Sequence, residues 1–154
     1  MKILMLSDYF PPHIGGGVEK AVYELSRRLV KRGVEVIVIT LNTDGAEGFE
    51  VLDGIKVYRC MTLNLTGAIG AQLSLSPSVP LRIVGVCRKE KPDLVHANNR
   101  FFFTTLCAAV LQRLFHRPLI TTFHLGPVSF ERRLLDTATR AYEGTACKLI
   151  VELS

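Results

Sequence analysis

The chain has 154 residues, which is long enough for one folded core. Of these residues 48% are hydrophobic and 21% are charged, and the mean hydropathy is +0.26, so the composition is too apolar for an intrinsically disordered protein. The 19 Lys and Arg against 14 Asp and Glu give a net charge of +5, which favours an anionic partner. These basic residues are scattered and form no stripe interleaved with aromatic side chains, so nucleic acid is disfavoured as that partner.

The first forty residues predict a βαβ unit. Residues 2–7 (KILMLS) are a continuous apolar run that indicates a buried strand. Residues 18–33 (VEKAVYELSRRLVKRG) carry apolar side chains at helical spacing and end at a glycine, a common helix stop signal. Residues 34–40 (VEVIVIT) are apolar on both faces, as strands are in a parallel sheet covered by helices.

Strand and helix patterns continue to alternate along the rest of the chain. A polar connection over 42–48 leads to a third strand at 54–60, and residues 61–79 lack clear periodicity and predict a loop. Further strands are predicted at 93–97, 118–123 and in the final KLIVEL, and helices at 81–90, 101–115 and 129–144, the last capped by Ser129. This alternation predicts one α/β domain over 1–154, with a doubly wound, mostly parallel sheet flanked by helices.

The cysteine pattern and the apolar runs bear on the compartment of the protein. The cysteines show no CxxC spacing and lie mostly in apolar runs, which predicts buried, reduced thiols and a cytoplasmic protein; they are Cys60, Cys87, Cys107 and Cys147. The first apolar run is interrupted by Asp8 before a signal-peptide core forms, and residues 101–111 are too few to span a bilayer. Peripheral contact with the inner face of the membrane remains open.

A glycine-rich loop follows the first predicted strand. Residues 10–17 (FPPHIGGG) place Gly15, Gly16 and Gly17 directly before a helix, whose free N–H groups and dipole favour an anion such as phosphate. A turn that only connects strand to helix explains the same residues equally well. The GxGxxG fingerprint is broken by Lys20, and no GK[ST] follows for a P-loop.

Polar residues also follow two later strands. In a parallel sheet these strand ends meet at one edge, where ligands bind. Asn98 and Asn99 can bind sugar hydroxyls, although both are also common loop and cap residues. His124 is predicted at the rim, whereas His96 falls inside its strand and is expected to be structural. No GxSxG, HExxH or Cys–His pattern supports a hydrolase or metalloenzyme.

Several segments in one order resemble the N-terminal domain of glycosyltransferase family 4. They are the first forty residues, DGIKVYR, KPDLVHANNR, RPLITTFH and the closing KLIVELS. Members of that family are retaining enzymes of GT-B fold that use nucleotide sugars. The resemblance implies that Gly15, Gly16 and Gly17 lie against the donor diphosphate and near the acceptor, and that His124 contacts the transferred sugar. Asn98 stands where the family often has a histidine.

The resemblance also implies a Rossmann-like, acceptor-side domain that works with a C-terminal nucleotide-binding domain. We therefore expect a truncated chain that is inactive alone, with a nucleotide-sugar donor, no cofactor and no metal. The acceptor class stays open among lipids, sugars and sugar phosphates, and so does the oligomeric state. Two alternatives are a GT-B-like nucleotide-sugar epimerase and a stand-alone module that binds a phosphorylated or lipid ligand.

Overall fold

The computed structural model of the protein describes residues 1–13, 16–43, 48–65, 74–115, 117–124 and 133–152. Gly15 of the glycine loop and the helix cap predicted at Ser129 lie outside the described residues.

Strands and helices alternate along most of the described chain. The strands are β1 (Lys2–Leu6), β2 (Glu35–Leu41), β3 (Gly48–Leu52), β4 (Ile55–Cys60), β5 (Leu63–Asn64), β6 (Ser74–Leu75), β7 (Leu94–Asn98) and β8 (Leu119–Thr122). The helices are α1 (Gly17–Lys31), α2 (Val79–Glu90), α3 (Phe103–Phe115), α4 (Arg133–Tyr142) and α5 (Lys148–Glu152), with a π-helical turn at Glu143–Cys147.

Six strands form one sheet in the order β3-β4-β2-β1-β7-β8. All neighbours pair in parallel except β3, which is antiparallel to β4. The central strands β1 and β2 are apolar on both faces, as a sheet covered by helices on both sides requires. The predicted fold class, a doubly wound and mostly parallel sheet, is confirmed.

Alternate residues of the central strands enter two separate cores. On one face Leu4, Leu6 and Ile37 pack with α2, α3 and α5; on the other, Ile3 and Met5 pack with α1. Because successive side chains of a strand point to opposite faces, one apolar strand supplies both cores. The layering is therefore helix, sheet, helix.

The prediction that the cysteines are buried and unpaired is also confirmed. All four cysteines are buried, free thiols. Burial raises the pKa of the Cys107 thiol to about 12 and that of Cys87 to about 11, so neither is a thiolate near neutral pH.

Four charged side chains form an ion-pair network at the amino end of the sheet. Lys56 Nζ lies 2.6 Å from Glu35 and 3.1 Å from Glu90, and Lys2 Nζ lies 3.3 Å from each of the same two carboxylates. These contacts join β1, β2 and β4 to the end of α2. The opposite, carboxyl end of the sheet carries the loops with the candidate site.

Three parts of the chain differ from the prediction. KLIVEL is not a strand: residues 148–152 form α5, because Cys147 and Ile150 share one buried helical face while Leu149 and Val151 are exposed. Helix and strand are poorly distinguished in so short an apolar run. The structure also adds β3, whose Phe49 and Val51 are exposed on an edge strand, so no buried apolar pattern marked it. Part of the loop predicted over 61–79 pairs as β5 and β6.

The helical state of α5 can be tested with two neighbouring truncations. Ile150 is fully buried, so Ile150→Ala should lower the free energy of unfolding by about 2–4 kcal/mol. Val151 is 57% exposed, so Val151→Ala should change it by less than about 0.5 kcal/mol. Urea unfolding measures both. Similar large losses for the two variants would instead indicate a strand buried on both faces.

Candidate functional site at the carboxyl edge

Three loops come together at the carboxyl ends of adjacent strands. Strand β1 lies between β2 and β7, and β8 follows β7, so the loops after β1, β7 and β8 are spatial neighbours. Asp8 follows β1, Asn98 ends β7 and His124 follows β8. The structure thus brings together polar residues that are separated by more than a hundred positions in sequence.

His124 contacts Asn98 across two of these strand ends. The His124 Nε2 atom lies 3.3 Å from Asn98 Oδ1, while Asn98 Nδ2 donates to the carbonyls of Leu6, at 3.1 Å, and His96. Because carbonyls only accept, the amide nitrogen faces them and the amide oxygen faces the imidazole. Nε2 of His124 therefore carries the proton, and Nδ1 is the acceptor atom.

Both histidines in this region favour the neutral form. Partial burial lowers the pKa of His124, and burial together with the nearby His124 charge lowers the pKa of His96. His96 Nε2 lies 2.8 Å from Thr122 Oγ1 within the β7–β8 pair, which agrees with its expected structural role. His124 is only half-buried and lies at the rim.

Asn99 shapes the turn after β7. Its φ of 66° lies in the left-handed region that asparagine tolerates better than most residues. Its N–H donates to Thr122, and its Oδ1 accepts from the N–H of Phe101. These bonds show that Asn99 has a structural role in the turn, and the residue is buried. The predicted contacts of Asn98 and Asn99 with a sugar stay predictions.

The described part of the glycine loop begins α1. Gly16 is the residue before the helix and Gly17 its first residue. A Cβ added at Gly17 would meet nothing within 4 Å, whereas one at Gly16 would lie 3.2 Å from the carboxylate of Glu19. Glu19 is 3% exposed and lies in the first helical turn. A carboxylate there offsets the positive end of the helix dipole, so an arriving anion meets a site that is already partly neutralised.

Sequence reasoning missed the side chains that hold this loop in place. Arg59 is buried in β4, donates to the carbonyl of Pro11, and forms an ion pair with Glu50 at 2.5 Å. Phe10 is 1% exposed, and its ring contacts that of Tyr23 with centroids 5.7 Å apart. A single arginine in an apolar strand is a signal of burial against a partner, but its partner lies 48 positions away in sequence.

Asp8 ends the first apolar run of the sequence, yet in the fold it connects three elements. Its carboxylate accepts from the N–H groups of Phe103 at 2.8 Å and Thr104 at 2.9 Å, at the start of α3. Its carbonyl accepts from the N–H of Leu41, at the end of β2. Burial raises the pKa of Asp8 to about 6, although the bonds to Thr104 and Phe103 oppose that shift.

Among the described residues of this edge, metal-binding side chains do not cluster. Across the ranges that the structure describes, no three His, Cys, Asp or Glu residues gather closely enough to hold an ion. The expectation of a metal-independent site stays a prediction.

A doubly wound sheet with polar loops at its carboxyl edge defines a Rossmann-like ligand-binding domain. The family model of Glycosyltransferase Family 4 matches residues 15–151, which is nearly the whole chain. The protein therefore belongs to glycosyltransferase family 4, and the resemblance seen in its sequence is confirmed.

Several curated proteins are similar to the chain. A human phosphatidylinositol N-acetylglucosaminyltransferase subunit is 35% identical over 64% of this chain and 20% of its own length. An uncharacterised glycosyltransferase of Methanocaldococcus jannaschii is 27% identical, with 80% and 31% covered. Glycogen synthase of Mycobacterium tuberculosis is 26% identical, with 80% and 33% covered. The chain thus spans between a fifth and a third of the length of these relatives.

The raised pKa of Asp8 predicts a measurable pH dependence. A carboxyl group with a pKa of about 6 when folded and 3.8 when unfolded keeps its proton longer in the native state. The stabilisation that comes from protonating Asp8 in the folded state is therefore fully present below the unfolded pKa. It is lost as the pH rises through the folded pKa, and the free energy of unfolding falls by about 3 kcal/mol.

Asp8→Asn should remove this component. We expect the difference in unfolding free energy between the parent and the variant to change by about 3 kcal/mol between about pH 3 and about pH 7. Urea unfolding at several pH values measures it, and comparing the two proteins cancels the opposite contributions of His96 and His124. A constant difference would show that Asp8 titrates normally.

Proposed function

We propose that the protein takes part in the transfer of a sugar from a nucleotide-sugar donor to an acceptor hydroxyl, with retention of configuration, and that this chain supplies the acceptor side of the site. The observation that carries the proposal is the His124–Asn98 contact at the carboxyl edge of a family 4 domain. It combines an oriented neutral imidazole with the edge where sheets of this kind bind their ligands.

In this proposal His124 holds the sugar during transfer. Its Nε2–H is directed to Asn98, so Nδ1 serves as an acceptor for a sugar hydroxyl. The lowered pKa keeps the ring neutral near pH 7, which suits hydroxyl binding and avoids a fixed cation beside a positively charged sugar transition state. The glycines at 15, 16 and 17 let the acceptor or the donor phosphate approach the backbone of the loop.

The described arginines near this edge are not available to stabilise the charge of a leaving diphosphate. Arg59 and Arg100, which lie near this edge, are already paired with Glu50 and Glu143. Glu19 and Asp8 add negative charge at the first turns of α1 and α3. This electrostatic balance supports a separate nucleotide-binding domain that supplies cations to the diphosphate.

We therefore expect the 154-residue chain alone to have no sugar-transfer activity. The reason is that its carboxyl edge offers hydroxyl-binding groups, whereas the two arginines described near that edge, Arg59 and Arg100, are already neutralised by glutamates. Product analysis with a panel of nucleotide sugars and lipid or sugar acceptors tests this. Transfer by the isolated chain would contradict the two-domain proposal, and release of an epimerised nucleotide sugar by the complete enzyme would favour an epimerase.

His124→Ala in the complete enzyme should lower kcat by roughly 10²-fold, because one positioned group at the transferred sugar is lost. Its half-exposed ring should make the change in stability small. His96→Gln is the matched control, since His96 contacts Thr122 within the sheet and should affect stability more than kcat. An unchanged kcat for His124→Ala would remove this residue from the site.

The acceptor is proposed to be available at a membrane surface. The names of two relatives mention phosphatidylinositol and glycogen, so family 4 membership alone does not choose between a lipid and a polysaccharide. The net charge of +5 favours the anionic lipid surface.

A further inference from the structure

A second surface lies near β3 and β4, on the side of the sheet away from β8 and His124. Between β4 and α2 there is an open cavity of about 470 Å³ whose lining includes Tyr58, Leu81, Arg82 and Lys89. We call it the β4–α2 groove and include Phe49, which lies directly opposite Tyr58 in the β3–β4 register. The groove belongs to the α2 face of the sheet and shares no residue with the candidate site.

Large apolar side chains at the groove are unusually exposed to solvent. Leu81 is 76% exposed, Phe49 is 55% exposed, and Val51, on the same face of β3 as Phe49, is 62% exposed. The Phe49 and Tyr58 rings have centroids 4.9 Å apart, so the two aromatics form one continuous apolar wall. Clustered apolar exposure of this kind marks an interaction surface, whereas single exposed residues do not.

Two cations of α2, Arg82 and Lys89, line the same groove. The exposed charged residues of α2 are all basic, namely Arg82, Arg88 and Lys89. Its one acidic residue, Glu90, has a side chain that is 10% exposed and is bonded to Lys2 and Lys56. By contrast, α1 on the opposite face of the sheet mixes the two signs, with Arg27 paired to Glu24.

We propose that the β4–α2 groove docks the protein on the surface of an anionic lipid bilayer. Leu81, Phe49 and Val51 enter the interface between headgroups and acyl chains, and the cations of α2 contact the anionic headgroups. A soluble phosphate would use the cations but would leave the apolar wall in water. An acidic bilayer satisfies both features together.

Docking of this kind is peripheral. Within the described residues, no helix is long and apolar enough to cross a bilayer. Docking on a bilayer would bring the domain to the membrane surface where the acceptor is proposed to lie. Binding to the bilayer does not itself require that the protein transfer a sugar.

Vesicle cosedimentation tests the proposal. The protein should sediment with vesicles of phosphatidylcholine mixed with phosphatidylglycerol, far less with phosphatidylcholine alone, and less again as salt screens the charges. Arg82→Gln combined with Lys89→Gln should weaken binding roughly 30-fold, because each cation at such a surface contributes a factor of roughly five. Leu81→Gln should weaken it roughly tenfold through lost apolar insertion.

Two matched controls separate docking from net charge and from general stickiness. Arg28→Gln with Lys31→Gln removes the same charge from α1, on the other face of the sheet, and should cost less than about threefold. Val110→Gln changes an apolar residue on α3 that is 56% exposed and should leave binding unchanged.

Equal losses in the α1 and α2 double variants, or no preference for anionic vesicles, would overturn the proposal. Displacement by inorganic phosphate at low concentration would also overturn it, in favour of a small anion site. None of these results bears on sugar transfer, which is measured separately with the complete enzyme, a panel of nucleotide sugars and both lipid and sugar acceptors. If the complete enzyme transfers no sugar while vesicle binding persists, the proposed function is wrong and the docking surface stands.

Discussion

The carboxyl edge of the sheet depends on the hydrogen bonds of one buried aspartate. Asp8 binds the first N–H groups of α3 with its carboxylate and the end of β2 with its carbonyl. The loop after β7 lies between β7 and α3, so fixing the start of α3 also constrains Asn98 and, through it, His124. Burying a carboxyl is unfavourable unless it is bonded, and these N–H groups have no partner within their own helix. The helix N–H groups therefore satisfy the buried carboxylate, and the carboxylate satisfies these N–H groups.

The same carboxylates affect how the site treats charge. Glycines before a helix suggest an anion cradle, but Glu19 folds against Gly16 and places a carboxylate at that helix end. Asp8 does the same at α3. The edge therefore suits hydroxyl groups better than an isolated phosphate, which agrees with the acceptor-side role proposed for this domain.

The two ends of the sheet carry different kinds of polar contact. At the amino end, Lys2, Glu35, Lys56 and Glu90 neutralise one another and join three strands to α2. At the carboxyl end, the buried Asp8 and Asn98 each make several hydrogen bonds, and the half-buried His124 is oriented by its contact with Asn98. The α2 face adds a third region, where apolar and basic side chains are exposed together.

Much of the fold follows from the sequence alone. Apolar runs alternating with amphipathic segments predict the βαβ order and the parallel sheet, because burial on both faces of a strand leaves a continuous apolar run in the local sequence. The order of several quoted motifs carries the resemblance to family 4, which the family match confirms. The sequence also places Gly16, Gly17, Asn98 and His124 at or after strand ends. Tertiary structure alone decided the bond from Asn98 to His124, the Arg59 contact with Pro11, the Glu19 carboxylate against Gly16 and the helical state of KLIVE. Contacts across 26 or 48 positions and a short apolar run have no local signal, because their partners are chosen by the packing of the whole chain.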